Sequence, residues 1–213
     1  MYNKREKYFC AEKPKVDLSK YSIGDYVNYT YDAVSSGYTT KSTENGYGKQ
    51  TIPQTSGLKW RILNIDEASG TIDLVSENPT SNTVTFRGAL GYHNGPYIMN
   101  AICEAQYSNS ALNVKARNIS LLDMEKQLTT AGKAASALSS SNYYWVSGCY
   151  VDTDSSYAGF GLRYAYTYMN GYGTFFSDHD SYDNNYHLRP VVSLPSSILS
   201  DTKDASGAWN LTK

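Results

Sequence analysis

Apolar and polar positions alternate along Lys59–Ile65 (KWRILNI) and again along Thr71–Ser76 (TIDLVS), with a polar, glycine-ending stretch from Asp66 to Gly70 between them. Period-two runs joined by such a stretch predict a β-hairpin. Upstream, Tyr21–Tyr31 (YSIGDYVNYTY) sets Tyr26, Asn28 and Thr30 on one face and Val27, Tyr29 and Tyr31 on the other, as a strand would. From Asp32 to Gly57 the residues are mainly Ser, Thr, Gly and Lys, which predicts a long surface excursion. Two helices follow. Over Pro96–Tyr107 the pairs Ile98/Ile102 and Met99/Cys103 recur at i,i+4, with Pro96 suited to a first turn. Ser120 and Asp123 approximate a capping box, ahead of a face made by Leu121, Met124 and Leu128. Beyond Leu128 no strong pattern appears before Tyr143.

Later strands are predicted at Tyr143–Val146, Phe160–Met169 and Leu188–Leu194, the last apolar enough to be central. Ser206-Gly207 ahead of Ala208–Leu211 predicts a closing hairpin. Strands, two helices, then strands again give an α+β fold class, expected as two helices packed on a twisted antiparallel sheet with long loops. The length of 213 residues and 40% hydrophobic content suit one domain, expected over 21–213, with 1–20 as a charged tail or linker lacking periodicity.

A formal net charge of −1 supplies no field that would gather nucleic acid, so no nucleic-acid partner is expected. No apolar run approaches the roughly 20 residues a bilayer span requires, which argues against membrane insertion. Met1–Lys15 has no apolar stretch of the kind a signal peptide carries. Cys10, Cys103 and Cys149 stand far apart in no paired-ligand spacing; Cys103 reads as a small buried hydrophobe, and one bridge among the three stays open.

Composition changes the picture in two places. Tyr occurs 21 times and Phe only 5. A buried tyrosine must find a partner for its hydroxyl, whereas at a surface the same side chain makes a good contact element. The second departure is local: residues 146–200 hold no Lys, Glu, Gln or Trp, although the rest of the chain carries 13 Lys, 7 Glu, 4 Gln and 3 Trp. At that density about nine would have fallen in the stretch. Tyr, Ser, Asp, Gly, Asn, Thr and Ala fill it instead, the vocabulary of binding loops, in which rigid tyrosines are surrounded by small adaptable polar groups. Randomising the adenines of asparagine codons AAC or AAT yields this set and never Lys, Glu, Gln, Trp or Met; only Met169 departs from the rule.

Tyr144-Trp145-Val146-Ser147, Phe160-Gly161-Leu162-Arg163-Tyr164 and Leu188-Arg189-Pro190-Val191-Val192-Ser193-Leu194, with Gly24–Tyr29, Trp60–Leu63, Leu74–Pro79 and Ala116–Ile119 upstream, resemble the C-type-lectin-like variable domains of gut Firmicutes and their prophages, of the kind diversified by diversity-generating retroelements. The resemblance covers most of the chain beyond Tyr21. It implies a C-type-lectin-like fold and a rigid scaffold that varies the side chains of one face near the C-terminus, on a phage particle or bacterial cell surface. Scaffold positions would be Trp145, Phe160, Leu162, Arg163, Arg189, Pro190 and Val192. Ligand-contacting positions would be Tyr150, Asp152, Asp154, Tyr157, Tyr166, Tyr168, Asn170, Tyr172, Phe176, Asp178, His179, Tyr182, Asp183, Asn184 and Tyr186, meeting a protein or cell-surface ligand, or a glycan. Tyr164, Tyr166 and Tyr168 recur at period two with Phe160 and Leu162, so that face reads equally as core. Arg163 and Arg189 read as internal braces that hold carbonyls or carboxylates by forked hydrogen bonds.

Competing chemistry finds less support. Asp178–Asn185 concentrates oxygen ligands, yet lacks the glycine and terminal acid of an EF-hand loop. The Glu-Pro-Asn and Trp-Asn-Asp signatures of calcium-dependent sugar-binding lectins are missing too, so no cofactor or metal is expected. Formylglycine-generating oxidases share the lectin-like architecture but need a reactive cysteine pair, which the isolated Cys149 does not provide. His93, His179 and His187 have no carboxylate or Cys at triad or metal spacing. A non-enzymatic binding domain is therefore expected. A calcium-dependent lectin domain and a purely structural phage or surface module are the alternatives.

Overall fold

In the computed structural model the described residues are 16–126, 138, 140–153, 158–165, 176–177 and 184–212. They form an α+β architecture with two helices and no closed barrel. In chain order the strands are β1 (Tyr26–Val27), β2 (Tyr38–Thr39), β3 (Thr51–Ile52), β4 (Trp60–Asp66), β5 (Thr71–Ser76) and β6 (Thr83–Phe86); then come helix α1 (Gly88–Tyr107), β7 (Ala116–Asn118) and helix α2 (Leu121–Lys126). The C-terminal part contributes β8 (Tyr144–Thr153), β9 (Ala158–Ala165), β10 (Phe176–Ser177), β11 (Asn184–His187), β12 (Pro190–Pro195), β13 (Leu199–Lys203) and β14 (Trp209–Leu211).

Where one antiparallel sheet was expected, the described strands form two larger sheets and a ribbon. The seven-stranded sheet has the order β13-β14-β1-β4-β5-β12-β7, the five-stranded one β10-β9-β8-β11-β6, and β2 pairs with β3. Two pairings, β1 with β14 and β8 with β11, are parallel. The expected hairpins at β4/β5 and β13/β14 both form. β12 is central, between β5 and β7, and buries both faces: Val191 and Val192 belong to different hydrophobic clusters, as the period of a strand requires. Val192 and Leu194 pack in one cluster with Ile72, Leu74, Trp145 and Leu162, and Val191 in the other with Leu63, Val75, Tyr144 and Val146.

α1 starts eight residues before the expected Pro96, which lies inside the helix rather than in its first turn. The early half, GALGYHNG, has poor intrinsic helix propensity, and packing explains its form. Gly91, Gly95, Ile98, Met99, Ile102, Cys103, Gln106 and Tyr107 make one buried stripe. A Cβ on Gly95 would stand 2.4 Å from Leu162 Cδ1, so the glycine permits β9 to approach the helix. α2 begins as its capping box requires: Ser120 N donates to Asp123 Oδ2 at 2.7 Å and Asp123 N donates to Ser120 Oγ at 3.3 Å. Met124 is buried, Leu121 is 37% exposed, and Leu128 falls outside the described residues.

The strand expected over Tyr21–Tyr31 shortens to Tyr26–Val27, because Tyr29 N turns back to Val27 O and Asn28 N donates to Trp209 O. The predicted alternation survives in burial, with Val27 and Tyr29 inside and Asn28 and Thr30 outside. Val16–Lys20, expected within the tail, also packs on this unit: Leu18 is buried, and Lys20 pairs with Asp201 at 2.9 Å. The Asp32–Gly57 segment is no simple surface excursion. Ile52 joins the core, and fully buried Asn45 donates to Thr40 Oγ1 and Gly48 O while its Oδ1 accepts from Tyr47 N and Gly48 N. The Gln50 carboxamide donates to Thr85 O and accepts from Thr85 N, both at 2.8 Å, along the outer edge of β6.

Part of the tyrosine excess is structural. Tyr21, Tyr29, Tyr107 and Tyr144 are core residues. Tyr29 and Tyr144 donate to Tyr107 O and Leu138 O, and the Tyr107 oxygen accepts from Thr55 N. Each hydroxyl has the partner that burial demands.

Candidate functional site

The expected contact segment begins where β8 changes character. Its first residues are framework: Tyr144 and Trp145 are 0% exposed and Val146 1%. Trp145 Nε1 donates to Val84 O at 2.8 Å, and its ring meets Phe86 edge-on at 5.3 Å. The register against β9 then jumps from Val146–Arg163 to Cys149–Leu162, leaving Ser147 and Gly148 as a bulge. Ser147 N donates to Ile119 O at 2.8 Å, and a Cβ on Gly148 would lie 2.6 Å from Leu121 Cδ1. A bulge re-aims the strand beyond it. Cys149 is exposed and Val151 51% exposed.

β9 and the strand leading to β12 anchor the other side. Leu162 is 0% exposed against Gly95. Arg189, equally buried, donates to Ser76 O at 3.2 Å, Leu138 O at 2.7 Å and Glu77 O at 2.9 Å, and lies over the Tyr144 ring at 4.8 Å. This is the bracing role expected of it. Asn118 links the two sides, its Nδ2 donating to Trp145 O and its Oδ1 accepting from Arg189 N, each at 2.9 Å. Asn118 lies within the Ala116–Ile119 stretch that carries the resemblance, but no role was expected of it.

Two aromatic groupings flank this frame. Arg163, expected as an internal brace, is half-buried with its guanidinium 4.3 Å from the Tyr150 ring centroid, an attractive cation–π geometry. On the other face Phe160 meets Tyr92 of α1 at 5.6 Å, and Tyr92 meets His93 at 5.4 Å. Phe160, expected as scaffold, is 39% exposed, meeting α1 at Tyr92 and an exposed partner, Val151, across the hairpin.

Of the expected contact positions, Tyr150, Asn184 and Tyr186 have described side chains. Tyr150 and Asn184 are half-buried and Asn185 is exposed. Tyr186 departs from free display: it too is half-buried, 4.8 Å from both Trp145 and Tyr164 and 5.6 Å from Tyr143. Burial, with a smaller contribution from neighbouring Tyr164 and Tyr143, pushes its hydroxyl up to about 12. Asp152 and Phe176 are described in their main chain only. Asp154, Tyr157, Tyr166, Tyr168, Asn170, Tyr172, Asp178, His179, Tyr182 and Asp183 lie outside the described residues. Val151, Asn185 and Tyr143, 45% exposed, border the same region without having been expected there; the period of β8 would have pointed to Val151.

Chemically, the described part offers aromatic faces and small polar groups. Among the described residues no three His, Cys, Asp or Glu gather as a metal site would need. Partial desolvation raises the Cys149 thiol although the residue as a whole is exposed. No described helix is long and apolar enough to cross a membrane. Comparisons with protein-family models, with curated proteins and with solved structures give no match.

Proposed function

We propose that this chain is a non-enzymatic ligand-binding domain of C-type-lectin-like fold. Residues 149–187 are its contact surface, varied by a diversity-generating retroelement, and it is carried on a phage particle or bacterial cell surface. One observation supports the reading above others: the change in composition sets in next to a change in structure. Before the Ser147–Gly148 bulge the side chains are buried and bonded into the frame; the biased vocabulary starts at Val146, at the edge of that bulge, and Cys149 and Val151 emerge just past it. Contacts made by a few desolvated tyrosines within small polar neighbours would supply affinity, and the identity of the varied residues would supply specificity.

The neighbouring DNA tests the diversification. A near-copy of the codons for this segment, differing mainly at adenines, is expected beside a reverse transcriptase gene. Finding neither removes the retroelement and leaves the binding reading in place. Binding itself is tested by probing protein and glycan arrays with the full chain, with and without a chelator. Capture that survives chelation and falls on replacing Tyr150 and Asn184 with alanine is expected. Capture abolished by the chelator points instead to calcium-dependent sugar binding, and no capture, with reduced stability of the double variant, to a structural module.

A further inference from the structure

α1 departs from an ordinary surface helix, which turns a charged face to solvent. From Gly88 to Cys103, about four turns, it holds no Asp, Glu, Lys or Arg. Opposite its buried stripe it carries Leu90, His93, Tyr97 and Ala101, at the three- and four-residue spacing of a single face. Leu90 is 47% and Tyr97 72% exposed, His93 is exposed and Ala101 half-buried. At the N-terminal end this face opens on a groove of about 380 Å³ between Gly46 and Arg87–Leu90. An exposed apolar face without charge over such a length marks an interaction surface.

The chemistry along the face is complementary to its own reverse. The charges that bound the neutral stretch are opposite in sign and stand at its two ends, Arg87 just before it and Glu104 just after. Glu104 pairs with Lys115 at 2.7 Å yet stays half exposed, and Asp32 shares its surface hollow, so that end is acidic on balance. The Lys41–Glu44 pair, beside Tyr97, is neutral. Two copies of α1 laid antiparallel, about a two-fold axis level with Gly95 and Pro96, set Arg87 near the partner's Glu104 and Leu90 on the partner's Ala101. His93 and Asn94 then lie beside the partner's Tyr97. Large meets small, opposite charges meet, and the helix dipoles run in opposite senses. An isologous interface requires such self-complementarity, whereas a face for a different protein does not.

From this arrangement we infer that the outer face of α1 is a dimer interface, covered by α1 of a second copy of this chain packed antiparallel on Leu90, His93, Tyr97 and Ala101. These residues lie outside 149–187, so the inference stands apart from the proposed contact surface. Where that surface binds as proposed, the dimer presents it twice and gains avidity for a target that displays its ligand repeatedly.

Sedimentation velocity of the full chain over a concentration series should show monomer passing to dimer by the high micromolar range. Tyr97→Lys sets like charges across the axis and should weaken dimerisation by about tenfold or more, while Tyr97→Phe should retain it. An unchanged circular dichroism spectrum verifies that both variants fold, as substitution at an exposed site allows. Disulfide trapping in a Cys149→Ser background reads the register. Leu90→Cys mixed with Ala101→Cys should link unlike chains faster than either variant links to itself, as mapped by peptide mass spectrometry. A chain that stays monomeric at every concentration leaves the face to a different protein and overturns the inference. A dimer that Tyr97→Lys leaves intact uses another surface and overturns it too, and like-with-like trapping that outruns the mixed pair rules out the antiparallel arrangement.

Discussion

Cys149 Sγ lies 3.6 Å from the main-chain oxygen of Tyr92, the carbonyl whose helical donor would be residue 96, a proline with no N–H to give. A side chain at the start of the segment proposed to vary thus answers a vacancy within α1, and this ties that segment to the framework.

The two described cysteines should therefore differ in reactivity. Burial raises both thiols, and Cys103 is entirely enclosed whereas Cys149 is exposed. With native protein at pH 8, iodoacetamide should modify Cys149 and spare Cys103 until denaturant is added, as mapped by peptide mass spectrometry. Early labelling of Cys103 would contradict the packing of α1. Cys149→Ser, which keeps a donor near Tyr92 O, should be closer to the parent in stability than Cys149→Val.

Gly95 of α1 packs so closely on Leu162 of β9 that a Cβ would stand 2.4 Å from Leu162 Cδ1. Gly95→Ala should destabilise by about 1–3 kcal/mol, as overpacking does. Leu162→Val should recover part of that loss when combined with it, a coupling that a double-mutant cycle in urea would measure. Strict additivity would show that the two side chains do not meet.

Framework and contact positions should separate in stability. Trp145→Ala is expected to cost about 3–5 kcal/mol. Arg189→Lys should cost about 2–4 kcal/mol by stranding main-chain carbonyls at Ser76, Glu77 and Leu138. Asn185→Ala, at an exposed position, should stay within about 0.5 kcal/mol of the parent. Urea midpoints check all three, and a large loss at Asn185 would place that residue in the framework.

Acid should loosen the start of α2. Burial opposes ionisation of Asp123, but hydrogen bonds from Arg117, one at 2.8 Å, and from Ser120 outweigh it and hold the carboxyl below its ordinary 3.8. A carboxyl depressed in the folded state stabilises fully above the unfolded value and loses that contribution as pH falls through the folded one. The stability gap between the parent and Asp123→Asn should be constant above about pH 5 and shrink below about pH 4. A gap independent of pH would remove Asp123 from the account.

How legible the molecule was from its sequence depended on whether local pattern or distant packing decided each element. The β4/β5 hairpin, central β12 and the Ser120–Asp123 cap are local matters, and period, turn and cap residues revealed them. The first half of α1 was hidden because Gly91 and Gly95 oppose a helix on propensity and suit it only once Phe86 and Leu162 lie against them. Asn45 and Gln50 were hidden for a related reason: a polar residue in a Ser- and Gly-rich stretch looks the same whether it faces solvent or main chain. β6 and β11 are four residues each and pair mainly with one another, so neither carries a long alternating signal. At the candidate site the framework residues Trp145, Leu162 and Arg189 were readable from the motifs. The half-burial of Tyr186 was not, since its burial comes from Trp145 and Tyr164, a spatial neighbourhood that spacing along the chain does not encode.

The carboxamide of Gln50 stands in for a peptide unit against Thr85. That substitution closes the flank of the smaller sheet which would otherwise offer hydrogen bonds to any passing extended chain. If 149–187 does vary as proposed, each new variant would carry a fresh hazard of self-association. With Gln50, a residue outside that segment, occupying Thr85 on the β6 flank, such variation would proceed with less chance of recruiting a second copy along that side.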